Sequence, residues 1–145
     1  MIRVLFVCHG NICRSPMAEF IFKNMVNERG LTNQFYIESA AVSREEIGND
    51  MYPPAKRELD KHNIPYERRR ARQMTREDYD RFDRIYVMDE SNIRRMKNII
   101  GEDTEAKVHM LINRDVADPW YTGDFTATYN DIVKGCEGIL GERSL

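Results

Sequence analysis

Residues 1–16 read Met1-Ile2-Arg3-Val4-Leu5-Phe6-Val7-Cys8-His9-Gly10-Asn11-Ile12-Cys13-Arg14-Ser15-Pro16. The run from Arg3 to Cys8 is apolar and rich in β-formers. A continuous run of this length suits a strand buried on both faces of a parallel sheet. After a short loop, Ser15 and Pro16 predict a helix start, with Ser15 as the cap and Pro16 as the first helical residue. Met17, Phe20, Ile21 and Met25 then recur at helical spacing, and Gly30 supplies a stop.

Working outward, the same alternation continues. Strands are expected at Phe35 to Ser39, Arg84 to Met88 and Lys107 to Ile112. Pro53-Pro54 opens a helix toward His62, and Thr75-x-x-Asp78 has the form of a capping box for a helix from Arg76. Ile93, Met96 and Ile100 mark a helix that Gly101 ends. Phe125, Tyr129, Ile132, Val133, Cys136 and Leu140 form the stripe of a last one, although Gly135 and Gly138 each weaken it by about 1 kcal/mol relative to Ala. The expected fold is α/β, a small four-stranded parallel sheet with helices on both faces, of Rossmann-like type. Ligands of such sheets bind beyond the carboxyl ends of the strands. Cys8, the Asp89 region and the loop after Ile112 share that edge.

With 145 residues the chain fits one domain over 1–145. Apolar residues at 41% and charged residues at 32% are ordinary for a globular protein. No apolar run approaches the roughly 20 residues of a membrane span, and the opening run is too short for a signal-peptide core. A cytoplasmic location is expected. Net charge is −2, from 22 basic and 24 acidic residues, which gives no general attraction to nucleic acid or anionic lipid. Three cysteines are too few for a disulfide framework. Their spacing, and that of three histidines, offers no metal site.

The loop Cys8-His9-Gly10-Asn11-Ile12-Cys13-Arg14-Ser15 carries the chemistry. Between a strand and a helix, its backbone N–H groups can wrap an anion, aided by the positive end of the helix dipole. Gly10 and Asn11 tolerate the left-handed backbone of such a nest. Arg14 offers a planar fork to two phosphate oxygens. A thiol in that setting is expected to ionise, because helix N-termini and Arg stabilise the thiolate. One loop thus combines a phosphate cradle with a nucleophile. Cys8 read alone would be a small buried residue ending a strand.

Cys8-x₅-Arg14-Ser15-Pro16 directly after an N-terminal strand resembles the low-molecular-weight protein tyrosine phosphatases. Ser39-Ala40, Ala71-Arg72-Gln73, Met88-Asp89-Glu90-Ser91-Asn92 and Asp118-Pro119-Trp120-Tyr121 fall in the family's order, so the likeness spans nearly the whole chain. The resemblance implies that Cys8 attacks phosphorus and carries a phosphocysteine, and that Arg14 binds phosphoryl oxygens. It implies that Asn11 holds the loop's shape and that Ser15 donates to the thiolate. His9, Gly10, Ile12 and Cys13 complete the loop, and Ser39 supports it. Asp118 would protonate the leaving phenolate and then deprotonate water. Asp-Pro can equally start a turn, and Asp115 and Asp124 are competing carboxylates; the resemblance selects Asp118. Trp120 and Tyr121 would wall the pocket mouth. Cys13 would pair reversibly with Cys8 under oxidation. Cys136 is expected in the core. No cofactor or metal is implied. The partners would be phosphotyrosine proteins or peptides, with inorganic phosphate as product, and neither nucleic acid nor membrane.

Two departures bear on specificity. Glu45 stands near the place where relatives carry a pocket-walling Trp, so stacking should be weaker and acid-flanked peptides disfavoured. Arg69 stands where many relatives have a His that supports the loop's Asn and Ser, and a guanidinium cannot act as a neutral imidazole. The run Arg68-Arg69-Arg70-Ala71-Arg72 is read as a solvated loop rather than a nucleic-acid site. Arsenate reductases share the fold and loop but need a cysteine relay, and no Cys lies between Cys13 and Cys136. Relatives that hydrolyse phosphoarginine tend to carry Thr at the place of Ile12, whose apolar side chain suits a phenyl ring better. A redox-sensing phosphate-binding module is the remaining alternative.

Overall fold

The computed structural model describes residues 1–144. The elements are β1 (Ile2–Cys8), α1 (Arg14–Glu28), β2 (Phe35–Ala41), α2 (Pro53–Lys61), α3 (Arg76–Arg81), β3 (Arg84–Val87), α4 (Glu90–Ile100), β4 (Val108–Met110), α5 (Pro119–Thr122) and α6 (Phe125–Ser144). The four strands form one sheet in the order β2-β1-β3-β4, every pair parallel.

Alternation along β1 explains why the sheet needs two covering layers. Val4, Phe6 and Cys8 point into a core shared with α1, α2 and α6. Leu5 and Val7 point to the other face, where Tyr79, Phe82, Met96 and Ile100 of the α3–α4 side pack. Val4 to Val7 have no exposed surface. This is the two-sided burial expected of the continuous apolar run.

Local rules account for the element boundaries. Thr75 and Asp78 form the expected reciprocal capping box. Asp89 and Asn92 form a second one at the start of α4. Gly30 and Gly101 take φ of 69° and 73° after α1 and α4, where a Cβ would be strained.

Two details differ from the sequence reading. Helix α1 begins at Arg14, not at Ser15-Pro16, and its cap position, Cys13, makes no side-chain capping bond. Pro16 is therefore the third helical residue, a place where its missing N–H costs nothing because first-turn amides have no intrahelical partner. Strand β4 is only Val108–Met110, although Leu111 N–H and Val116 N–H still donate to Val87 O and Met88 O at 2.9 and 2.8 Å. The chain between them loops away from the sheet edge. The expected last helix is present, and α6 runs unbroken through Gly135. A Cβ there would lie 2.4 Å from Leu111 Cγ, so the glycine lets the helix close onto that leucine.

Candidate active site

Cys8 ends β1, and residues 9–13 carry the chain over the carboxyl edge of the sheet into α1. Its Sγ is the focus of three short contacts. Asn11 N–H and Ser15 N–H donate to it at 3.3 and 3.4 Å, and Ser15 Oγ lies 3.0 Å away. The first-turn amide of Ser15 thus points at sulfur. The absence of a side-chain cap on α1 has a physical reason: those N–H groups stay directed at the loop's interior, where negative charge is favoured. Ser15, expected to cap the helix, spends its hydroxyl on Cys8 instead.

Asn11 makes the loop possible. Its φ is 60°, in the left-handed region that asparagine tolerates, whereas Gly10 does not have a positive φ. Asn11 is completely buried. Its Nδ2 donates to Ser15 Oγ at 2.8 Å and to Ser39 Oγ at 3.0 Å. Ser39 Oγ in turn donates to Glu19 Oε1 at 2.6 Å. Asn11 Oδ1 accepts from Arg72 N–H at 3.2 Å and, in a shorter bond, from Arg69 Nη2. The carboxamide orientation follows from these donors: its oxygen faces two N–H groups and its nitrogen faces two hydroxyls. Ser15 Oγ therefore accepts from Asn11, and its own proton has two acceptors in reach, Ala40 O at 3.4 Å and, once the thiol is ionised, Cys8 Sγ at 3.0 Å.

Arg14 is 2% exposed. Nη1 donates to Asp89 Oδ2 at 2.7 Å and to Val116 O at 2.8 Å, and Nη2 approaches Asp118 Oδ2 at 3.4 Å. Burial works against its charge. The neighbouring Cys8, Asp89 and Asp118 outweigh that and hold the guanidinium protonated more firmly than usual. Asp89 is itself half-buried; burial opposes its charge, but bonds from Ser91 and Arg14 pull its carboxyl below the ordinary range.

Asp118 divides its two oxygens. Oδ1 caps α5 by accepting from Trp120 N–H at 3.0 Å, and Oδ2 faces Arg14. The turn-starting and site-facing readings of Asp-Pro both hold. Asp115 instead accepts from Glu90 N–H at 3.0 Å, and Asp124 accepts from Ala127 N–H at 2.9 Å in α6. Neither competing carboxylate lines the cavity at the loop.

These groups surround a cavity of about 130 Å³ lined by Cys8, Ile12, Arg14, Asp118, Trp120 and Tyr121, with His9, Gly10, Cys13, Glu45 and Glu46 completing it. Trp120 is 51% and Tyr121 83% exposed, so neither serves the core. Glu45 occupies the rim, where His9 Nε2 donates to its Oε2 at 2.9 Å. Cys13 is buried. Burial first, then the nearby Cys8 charge, pushes its thiol well above the usual range. All three cysteines are free thiols, and Cys136 is fully buried in α6.

The arginine run splits by direction. Arg72 donates to Asp78 at 2.8 and 3.1 Å and to Glu38 at 3.0 Å, Arg69 reaches Asn11, and Arg68 and Arg70 are exposed. Sequence reasoning placed the Asp89 region at the ligand edge but not its bond to Arg14, which spans 75 positions, and it missed two contributors. Glu19 carried no signal. Tyr52, whose ring centroid is 4.8 Å from that of Trp120 and whose N–H donates to Ile12 O at 2.8 Å, carried none either.

A family model described as low molecular weight phosphotyrosine protein phosphatase matches residues 3–144. A chicken (Gallus gallus) protein of that name is 41% identical over 94% of this chain and 92% of its own. The crystal structure of YfkJ from Bacillus subtilis superposes with a TM-score of 0.94 at 37% identity, covering 98% of this chain and 94% of that one. The structure of a Drosophila arginine phosphatase gives 0.89 at 30% identity over 99% of both chains.

Proposed function

The chain belongs to the low molecular weight phosphotyrosine protein phosphatases, and from that premise we propose how its residues hydrolyse protein phosphotyrosine. The observation that carries the reading is the setting of Cys8 Sγ, which receives two backbone N–H groups at 3.3 and 3.4 Å beside a buried guanidinium.

In the first step the Cys8 thiolate attacks phosphorus in line with the phenolic oxygen. The S–P bond forms, the P–O bond breaks, and Asp118 delivers its proton to the departing phenolate. Loop amides and Arg14 bind the equatorial oxygens as their charge redistributes. In the second step Asp118 takes a proton from water, the water oxygen bonds to phosphorus, and Cys8 leaves as thiolate with Ser15 donating to it. Inorganic phosphate is released. The donors of this chain neutralise the phosphoryl group, so the reaction is read as metal-independent. Trp120 and Tyr121 flank the substrate ring, and Ile12 gives the ring an apolar contact.

The reading extends to a cytoplasmic enzyme whose Cys13 protects Cys8 by reversible disulfide formation. The disulfide is supported by both cysteines lining one cavity.

The test is kcat/KM for phosphotyrosine and phosphoarginine side by side, with EDTA and fresh thiol. Turnover favouring phosphotyrosine is expected, with none for Cys8→Ser, which should still bind phosphate. A preference for phosphoarginine would overturn the Ile12 argument. Loss of activity in EDTA would overturn metal independence. No turnover with Cys8 reduced would leave a phosphate-binding module.

A further inference from the structure

We propose that Arg69 is a positioning residue that acts on Cys8 through Asn11 and Ser15, supplying a fixed positive charge beneath the phosphate loop. The inference rests on Cys8 being the nucleophile.

The relay is continuous. Arg69 Nη2 donates to Asn11 Oδ1, Asn11 Nδ2 donates to Ser15 Oγ at 2.8 Å, and Ser15 Oγ lies 3.0 Å from Cys8 Sγ. Arg72 N–H at 3.2 Å already dictates which way the Asn11 carboxamide points. What Arg69 adds is charge. A cation on the amide oxygen polarises the amide, making Nδ2 a stronger donor to Ser15 and the Ser15 hydroxyl a stronger donor to sulfur.

The loop before α2 holds this residue in place: Arg69 Nη1 donates to Asn49 O at 3.3 Å, and the Arg69 backbone N–H donates to Asp50 Oδ1 at 3.2 Å. The charged groups facing it are Glu19 from α1, Asp50 from the loop before α2, and Cys8. Burial eases its proton affinity below the usual arginine range, and those three negative neighbours partly restore it. An arginine stays charged throughout the range in which a phosphatase works. The relay therefore keeps one protonation state where an imidazole would titrate.

Three variants test this: Arg69→Met removes charge and donor, Arg69→Gln keeps donors without charge, and Arg69→Lys keeps charge. Two readouts are needed. One is kcat and KM on p-nitrophenyl phosphate. The other is the pH of half-maximal Cys8 alkylation by iodoacetate, which requires no turnover, with Cys8→Ser as blank. The expected result for Arg69→Met is an alkylation midpoint moved up by about one pH unit and kcat lower by about tenfold at little-changed KM, the scale of one charge-assisted hydrogen bond. Arg69→Gln should behave like Arg69→Met, and Arg69→Lys should recover most of both. Unchanged midpoints in Arg69→Met and Arg69→Gln would overturn the proposal, as would a Gln variant as good as wild type. If wild type alkylates at Cys8 but turns nothing over, the functional reading fails while the alkylation series still decides Arg69.

Discussion

Asp118 Oδ2 stands 3.4 Å from Arg14 Nη2, so the carboxylate proposed to move the proton lies beside the guanidinium proposed to hold the phosphate. An acid in that place meets a leaving oxygen on a phosphorus bound to Arg14. Replacing Asp118 with Ala should then slow poor leaving groups, such as phenyl phosphate, by about 10²-fold or more, and slow p-nitrophenyl phosphate far less. Steady-state rates across a series of substituted phenyl phosphates check this. Equal slowing across the series would remove Asp118 as the acid.

Glu45 and Glu46 put two carboxylates at the cavity wall, and His9 pairs with the first at 2.9 Å. Matched phosphotyrosine peptides should be ranked by their neighbours, with Lys or Arg flanks ahead of Asp or Glu flanks in kcat/KM. The gap should narrow in high salt and in Glu45→Gln, because exposed charges are screened. A gap insensitive to both would place the discrimination elsewhere.

Gly135 and Gly138 share one helix and should respond to Ala in opposite directions. At Gly135 the new methyl would lie 2.4 Å from Leu111 Cγ and 3.0 Å from Leu111 O; at Gly138 nothing among the described residues stands within 4 Å. Overpacking should make Gly135→Ala less stable by about 1–3 kcal/mol. Better helix propensity should make Gly138→Ala more stable by about 0.5–1 kcal/mol. Urea unfolding of the two variants reads both signs.

Asp78 is almost fully buried and accepts from both Arg72 guanidinium nitrogens and from Thr75 N–H. Burial opposes its charge, but the Arg72 bonds and Thr75 outweigh it and hold the carboxyl below its usual range. A depressed folded value means the stabilisation is complete above the unfolded carboxyl value of about 3.9 and is lost as pH falls from there through the folded one. At pH 7, Asp78→Asn should cost about 3 kcal/mol. That deficit should shrink as melting is repeated at steps below pH 4, where wild type loses the same interaction. A deficit constant down to pH 2 would show that the charge is not the source.

The sequence was most legible where a signal was local. The apolar run of β1, the Thr75–Asp78 box and the strand–helix alternation each depend on neighbours within a few positions, and the structure has them. Ser15 was only half legible for the same reason. A serine before a proline fits a helix cap on local grounds, which the structure does not bear out; its place 3.0 Å from Cys8 Sγ was suggested by the family resemblance and by no local pattern. Gly135 looked like a weakness in α6 because its reason, Leu111, lies on the chain leaving β4. The Arg14–Asp89 and Arg69–Asn11 bonds join residues 75 and 58 positions apart. No periodicity encodes such a pairing; it exists only once the sheet has brought the loops to one edge.

Strand β1 is flanked by β2 and β3 and sealed above and below. Asp118 follows the edge strand β4 in the chain, on a stretch whose four-residue helix α5 carries two exposed aromatic rings. Attack and proton transfer are thus entrusted to parts of unequal burial. The sulfur keeps its address because the most deeply seated strand carries it, and fitting substrates of different shape falls to the rim. Variation among substrates can then be accommodated at the periphery without disturbing the atom that must meet phosphorus.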